Sequence, residues 1–169
     1  MSNITTVILA AGRSKRFKAK TSKLIYPLCG LPIISHVYSV AKKISGKKVV
    51  VVCNKENINE LKLILKDCVF VIQNQQRGTA DAIEQAKNKI NSKHVLVLFG
   101  DTPLITLSSI KKLIKKFISS KAKASLIAFR TQKPFGYGRL LIKNNVFEEI
   151  IEEINLNIYQ KKINLCNSG

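Results

Sequence analysis

Five short apolar runs recur along the chain, and segments with the spacing of amphipathic helices separate them. The runs show little polar alternation, which is typical of strands that are buried on both faces of a sheet. Helices between such strands allow the strands to run parallel and cover both faces of the sheet. The pattern therefore predicts an α/β three-layer sandwich with a mostly parallel sheet. The predicted strands are residues 4–10, 48–53, 69–72, 95–99 and 124–129.

The pattern changes after Gln132. Two apolar runs, residues 139–143 and 146–151, meet at Asn144-Asn145 and predict a β-hairpin insertion near the C-terminus. No repeat, linker or low-complexity segment interrupts the sequence. We therefore expect a single domain over residues 1–169.

The composition is strongly basic. The chain has 29 Lys and Arg against 10 Asp and Glu, a formal net charge of +19, so nucleic-acid binding has to be considered. The lysines are scattered over predicted helix surfaces, however, and aromatic residues are not interleaved with them as base-stacking platforms would be. This distribution argues against nucleic acid as a partner of the chain.

The cysteines and the apolar runs indicate the compartment. Cys29, Cys53, Cys68 and Cys166 are far apart and lack metal-ligand spacing, which favours a reducing environment. The apolar runs are too short for a secretory signal or a membrane span. We expect a cytoplasmic protein without a membrane partner.

The first predicted strand ends in the small residues Ala10-Ala11-Gly12, and a basic loop with Arg13, Arg16 and Lys23 follows. Backbone N–H groups and several cations would then meet at one place, which suits a polyphosphate. The loop matches neither GxGxxG nor GxxxxGK[ST], so an ordinary surface loop of a lysine-rich protein is the alternative.

Other polar residues follow the third and fourth predicted strands. Gln73, Gly78 and Thr79 come after the third strand, and Gly100-Asp101 ends the fourth. Ligands of parallel α/β sheets bind outside the carboxyl ends of the strands, so these residues predict a nucleotide–Mg²⁺ site with Asp101 as the metal ligand. The alternative for Asp101 is a helix-capping or turn aspartate before Pro103.

These segments together resemble the uridylyltransferase domain of the bifunctional N-acetylglucosamine-1-phosphate uridylyltransferase/glucosamine-1-phosphate acetyltransferase family, one of the nucleotidyltransferases with a Rossmann-like fold. Residues 9–12 with Arg16 and Lys23 resemble the signature LAAGxGTRM…PK, and residues 73–82 resemble the uracil-reading segment QxxQxGTxxA. Residues 100–104 match GDxPL, and residues 136–139 match GYGR. In the first loop Ser14 and Lys15 replace the Gly and Thr of the signature, and Asp81 stands where His is common.

The resemblance implies roles for individual residues. Arg16 and Lys23 would be catalytic and grip the triphosphate of UTP, while Asp101 would hold Mg²⁺. The sugar of an amino-sugar 1-phosphate would be bound by Gly138, Glu152 and Asn167. The nucleotide would be bound by Leu9, Ala10, Ala11, Gly12, Gln73, Gly78, Thr79, Phe99 and Gly100.

The resemblance further implies transfer of the uridylyl group from UTP to N-acetylglucosamine-1-phosphate, giving UDP-N-acetylglucosamine, a peptidoglycan precursor, and pyrophosphate. The family's domain continues past the position of Gly169, so we expect a domain that is incomplete at its C-terminus and has no β-helix acetyltransferase domain. The alternatives are an inactive or partner-completed fragment, a cytidylyltransferase of the same superfamily, and a basic nucleic-acid-binding protein.

Overall fold

The computed structural model describes residues 3–12, 22–144 and 146–168. The chain divides into two compact units, residues 1–109 and 110–169. None of the described helices is long and apolar enough to cross a membrane.

The first unit is built on a parallel sheet. Its strands are β1 (Ile4–Leu9), β2 (Pro27–Leu28), β3 (Leu31–Pro32), β4 (Val49–Cys53), β5 (Val69–Ile72) and β6 (His94–Phe99). Four of them form the parallel sheet in the order β5-β4-β1-β6, while β2 and β3 form a small antiparallel pair. All five residues of β4 are buried, as its position in the interior of the sheet requires.

Helices α1 (Ile33–Ser45), α2 (Ile58–Ile64) and α3 (Thr79–Ala86) belong to the same unit. The buried face of α1 consists of Ile34, Val37, Ala41 and Ile44, which recur with helical spacing. The helix ends where Gly46 takes a φ of +59° and donates its N–H to the Lys42 carbonyl at 2.9 Å.

Helix α4 (Leu107–Ser120) spans the boundary between the units in the sequence. The second unit contains β7 (Ala128–Arg130), β8 (Arg139–Lys143), β9 (Val146–Ile151) and β10 (Leu165–Asn167). These strands form an antiparallel sheet in the order β7-β10-β8-β9.

The predicted hairpin is confirmed, since β8 and β9 pair antiparallel with the expected bounds. Asn144 takes a φ of +50° at the turn, and Asn145 lies outside the described residues. The prediction of a fifth parallel strand over residues 124–129 is wrong. Residues 124–126 are exposed, and the strand β7 pairs antiparallel with β10 in the other sheet. The partner β10 has only three residues, too few to be recognised from periodicity.

Candidate active site

A cavity of about 270 Å³ lies at the carboxyl ends of the parallel strands in the first unit. Residues from the ends of β1 and β6, the segment after β5 and the start of α3 surround it, as expected for a ligand site of a parallel sheet. The lining residues are Leu9, Ala10, Ala11, Gly12, Leu24, Gln73, Gln76, Gly78, Thr79, Ala82, Phe99 and Asp101. Most residues of the predicted nucleotide site therefore lie together.

Amide side chains hold the backbone that follows β1. Asn57 Nδ2 donates to the Ala10 carbonyl at 2.8 Å, and Asn54 Nδ2 donates to the Ala11 carbonyl at 3.0 Å. Gln76 Nε2 also donates to the Ala11 carbonyl, at 2.7 Å. With these carbonyl oxygens occupied on one side, the backbone of residues 10–12 is fixed where it lines the cavity.

Asn54 and Asn57 also bind each other. The backbone N–H of Asn54 donates to Asn57 Oδ1 at 3.0 Å, and the N–H of Asn57 donates to Asn54 Oδ1 at 2.9 Å. Both side chains are buried, with 8% and 4% of their surface exposed. Neither residue was among the predicted site residues. Asn54 directly follows β4, and Asn57 comes three residues later, just before α2. The rule that polar residues at strand ends form the site would have found them if it had been applied to this strand as well.

Gln73 is a buried polar residue in the wall of the cavity. Its backbone N–H donates to the Cys53 carbonyl at 2.8 Å, which extends the pairing of β5 with β4. Its side-chain Nε2 donates to Asp81 Oδ2 at 2.6 Å and to the Gly78 carbonyl at 3.2 Å. Gly78 itself has a φ of +106°, a conformation that glycine adopts without strain.

Lys23 and Asp101 form an ion pair at the cavity, with 3.0 Å between Lys23 Nζ and Asp101 Oδ2. Their side chains are 37% and 44% exposed, so both groups are accessible to solvent. Asp101 lines the cavity, and Lys23 lies beside it through this pairing. Helix α4 is capped by Thr106, whose Oγ1 accepts from the Ser109 N–H at 3.1 Å. Asp101 therefore does not cap this helix, and it lies in the turn that follows β6, as the other part of the alternative had it.

Gly100 does not line the cavity. Its N–H donates to the Leu9 carbonyl at 2.9 Å, and a Cβ at this position would lie 3.1 Å from that carbonyl oxygen and 3.3 Å from Leu24 Cδ2. The glycine allows β6 and β1 to stay close where they end. Its place in the structure is thus a packing position beside the predicted site.

The three predicted sugar-binding residues lie together in the second unit. A Cβ at Gly138 would be 3.4 Å from Glu152 Oε1 and 2.9 Å from Ile150 Cγ2. The Asn167 N–H donates to the Gly138 carbonyl at 2.9 Å. A side chain at Gly138 would therefore clash with Ile150, so a glycine is needed for the strands to pack this closely here. Of the two predicted catalytic residues, Lys23 is at the cavity and Arg16 lies outside the described residues.

A buried arginine, Arg139, lies next to the cluster of Gly138, Glu152 and Asn167 in the second unit. Arg139 follows Gly138 and has only 1% of its surface exposed. Its Nη2 forms an ion pair with Glu153 Oε2 at 2.7 Å, and its Nε donates to the Ile163 carbonyl at 3.0 Å. The pairing compensates the cost of burying the guanidinium group and ties β8 to the segments that follow β9.

Comparisons with known proteins identify the family of the chain. The family described as MobA-like NTP transferase domain matches residues 6–154. The bifunctional protein GlmU of Buchnera aphidicola subsp. Schizaphis graminum is 40% identical over 170 residues, which cover 98% of this chain and 36% of that protein. The chain thus spans well under half the length of this relative. The resemblance found in the sequence motifs is confirmed.

Solved structures show the same fold. A Bacillus anthracis protein assigned as a glucose-1-phosphate thymidylyltransferase has a TM-score of 0.84 at 20% identity, covering 98% of this chain and 69% of that chain. A CMP:2-keto-3-deoxy-manno-octonic acid synthetase complexed with CTP has a TM-score of 0.73 at 18% identity, covering 99% and 72%. At these identities the likeness concerns the fold, and the predicted Rossmann-like α/β fold is confirmed.

Proposed function

Because the chain belongs to the family of MobA-like NTP transferase domains, we propose that it transfers the uridylyl group of UTP to N-acetylglucosamine-1-phosphate with the help of Mg²⁺. The observation that carries this proposal is the cavity at the carboxyl ends of the parallel strands. It combines the backbone of residues 9–12, the amide of Gln73 and the carboxylate of Asp101, with the ammonium group of Lys23 3.0 Å from that carboxylate.

In the proposed reaction a phosphate oxygen of the sugar 1-phosphate attacks the α-phosphorus of UTP. The bond from this phosphorus to the oxygen that bridges to the β-phosphate breaks, and pyrophosphate leaves with the electron pair. The chain has to position the two substrates and stabilise the charge that develops on pyrophosphate, so no nucleophilic side chain is needed. Lys23 is suited to this charge, and the sequence resemblance gives Arg16 the same role.

The residues at the cavity fit Mg²⁺. Asp101 offers a carboxylate with an exposed oxygen, and Mg²⁺ is commonly bound by one or two carboxylates together with substrate phosphates. Among the described residues, no group of three or more His, Cys, Asp or Glu could hold a metal ion. We therefore expect substrate phosphates and water to complete the coordination of Mg²⁺ beside Asp101. Bound Mg²⁺ would neutralise negative charge on the phosphates. Lys23 would then exchange its pairing with Asp101 for the triphosphate.

For the acceptor we propose the cluster of Gly138, Glu152 and Asn167 in the second unit. The carboxylate of Glu152 can accept hydrogen bonds from sugar hydroxyls. At Gly138 the backbone lies so close to Ile150 and Glu152 that a residue with a side chain would displace them. The relative named GlmU is a bifunctional protein of which this chain spans 36%, so pyrophosphate release has to be measured with this chain itself.

The test is pyrophosphate release by the full chain with UTP, N-acetylglucosamine-1-phosphate and Mg²⁺. We expect release that needs all three components, with UDP-N-acetylglucosamine as the second product. Release with CTP and not with UTP would indicate a cytidylyltransferase instead. Release with neither nucleotide would contradict the proposed activity and favour an inactive fragment.

Two substitutions link the activity to the cavity. We expect Lys23→Met and Asp101→Asn each to lower kcat/KM by roughly 100-fold or more, as found for the loss of a group that stabilises transition-state charge. Lys87→Met is the matched control, because Lys87 pairs with Glu84 at 3.1 Å on an exposed surface and does not line the cavity. If Lys23→Met and Asp101→Asn keep the kcat/KM of Lys87→Met, the assignment of Lys23 and Asp101 is contradicted.

A further inference from the structure

We propose that Asp81 sets the base preference of the cavity by fixing the orientation of the Gln73 amide, an inference that rests on the proposed nucleotide-binding function. Asp81 lies in the first turn of α3, and its carboxylate accepts from Gln73 Nε2 at 2.6 Å. Its role is that of a positioning residue, since it acts on the nucleotide through Gln73.

The two ends of a glutamine amide differ only in hydrogen bonding, because one end donates and the other accepts. An ionised carboxylate only accepts, so Asp81 requires the Nε2 end of Gln73. The Gly78 carbonyl is a second acceptor at 3.2 Å from the same nitrogen. Rotating the amide by half a turn would place Oε1 against both acceptor oxygens, an arrangement that is electrostatically unfavourable.

With Nε2 bound to Asp81 and Gly78, both of its hydrogen atoms are used. The side chain of Gln73 then offers Oε1, an acceptor, to a ligand in the cavity. Uracil can donate from N3–H to this oxygen. Cytosine has an acceptor at N3 and donates only from its exocyclic N4 amino group, so a base held with N3 at Oε1 is matched as uracil and mismatched as cytosine. Gln73 is only 5% exposed. Two acceptors that face each other at this place would therefore gain few hydrogen bonds from water, and binding would be weakened.

Asp81 has a second contact, which ties it to its own helix. Gln85 Nε2 donates to Asp81 Oδ1 at 3.4 Å, one turn further along α3. The position in the first turn also places the carboxylate at the end of the helix where negative charge is favoured. The Asp81 carboxylate, which orients the Gln73 amide, is therefore held in place by its own helix.

The test compares Asp81→Asn with the wild type in equilibrium binding of UTP and CTP, each with Mg²⁺, by titration calorimetry. An asparagine has nearly the same shape but can donate as well as accept, so it no longer imposes one amide orientation. We expect the ratio of the CTP Kd to the UTP Kd to fall by roughly tenfold. A purely structural defect would raise both Kd values by the same factor and leave the ratio unchanged.

Glu84→Gln is the matched control, because it removes one negative charge from the same helix at an exposed position paired with Lys87. It should keep the wild-type ratio, and Asp81→Ala should repeat the change seen with Asp81→Asn. A wild-type ratio in both Asp81 variants would overturn the role of Asp81 and leave the proposed function intact. A wild-type protein that binds CTP as tightly as UTP, or that binds neither, would overturn the proposed function as well.

Discussion

At the scale of single residues, hydrogen bonds from a few buried amide side chains hold the backbone that lines the cavity. Asn57 donates to the Ala10 carbonyl and accepts from the Asn54 N–H. Asn57→Ala would leave both groups without this partner in a buried place. We expect the free energy of unfolding to fall by about 1–3 kcal/mol, measured by urea denaturation.

The control for this prediction is Asn91→Ala, since Asn91 is exposed. Substitutions at exposed positions usually change the free energy of unfolding by less than about 0.5 kcal/mol. Equal urea midpoints for the two variants would show that the amide contacts of Asn57 contribute little.

At the scale of elements, the burial of β4 has a consequence at alkaline pH. Burial raises the pKa of the Cys53 thiol at the end of this strand from 9.0 to about 11. An unfolded chain releases the proton near pH 9, so between pH 9 and 11 the unfolded state binds fewer protons than the folded state. The free energy of unfolding therefore decreases as pH rises through this window, and the contribution of Cys53 is complete only below pH 9.

We expect Cys53→Ala to make this decrease shallower, by up to about 1.4 kcal/mol per pH unit, in urea denaturation between pH 8 and 10.5. Cys29→Ala is the comparison, because the Cys29 thiol is exposed in the turn between β2 and β3. If the free energy of unfolding of both variants decreases with pH as steeply as that of the wild type, the pKa of Cys53 is not raised.

At the scale of the whole molecule, a formal net charge of +19 on 169 residues favours expansion through self-repulsion. Salt screens this repulsion, so we expect the Tm to rise between 50 and 300 mM NaCl. A gain of about 1 kcal/mol corresponds to roughly 2–4 °C in a chain of this length.

Helix α4 offers the matched variant, because Lys111 and Lys115 are exposed and one turn apart. The double substitution Lys111→Glu with Lys115→Glu lowers the net charge and should reduce the salt dependence. A Tm that falls with added NaCl would mean that attractive ion pairs outweigh the repulsion.

The apolar runs were enough to predict the parallel strands and the hairpin of β8 and β9, because periodicity is a local property that survives in a single sequence. The same reasoning placed residues 9–12, Gln73 and Asp101 at one edge of the sheet, since parallel strands end on the same side. These are the parts of the fold and of the candidate site that require only the order of the residues.

Other features depend on contacts between distant segments. The bond from Asn54 to the Ala11 carbonyl joins residues 43 positions apart, and the bond from Asn57 to the Ala10 carbonyl joins residues 47 positions apart. The pairing of β7 with β10, the approach of Asn167 to Gly138 and the packing role of Gly100 likewise follow from three-dimensional neighbours. The sequence determines which hydrogen-bond donors and acceptors the chain has. The tertiary structure decides which of them pair, because each buried polar group needs a partner within the folded chain.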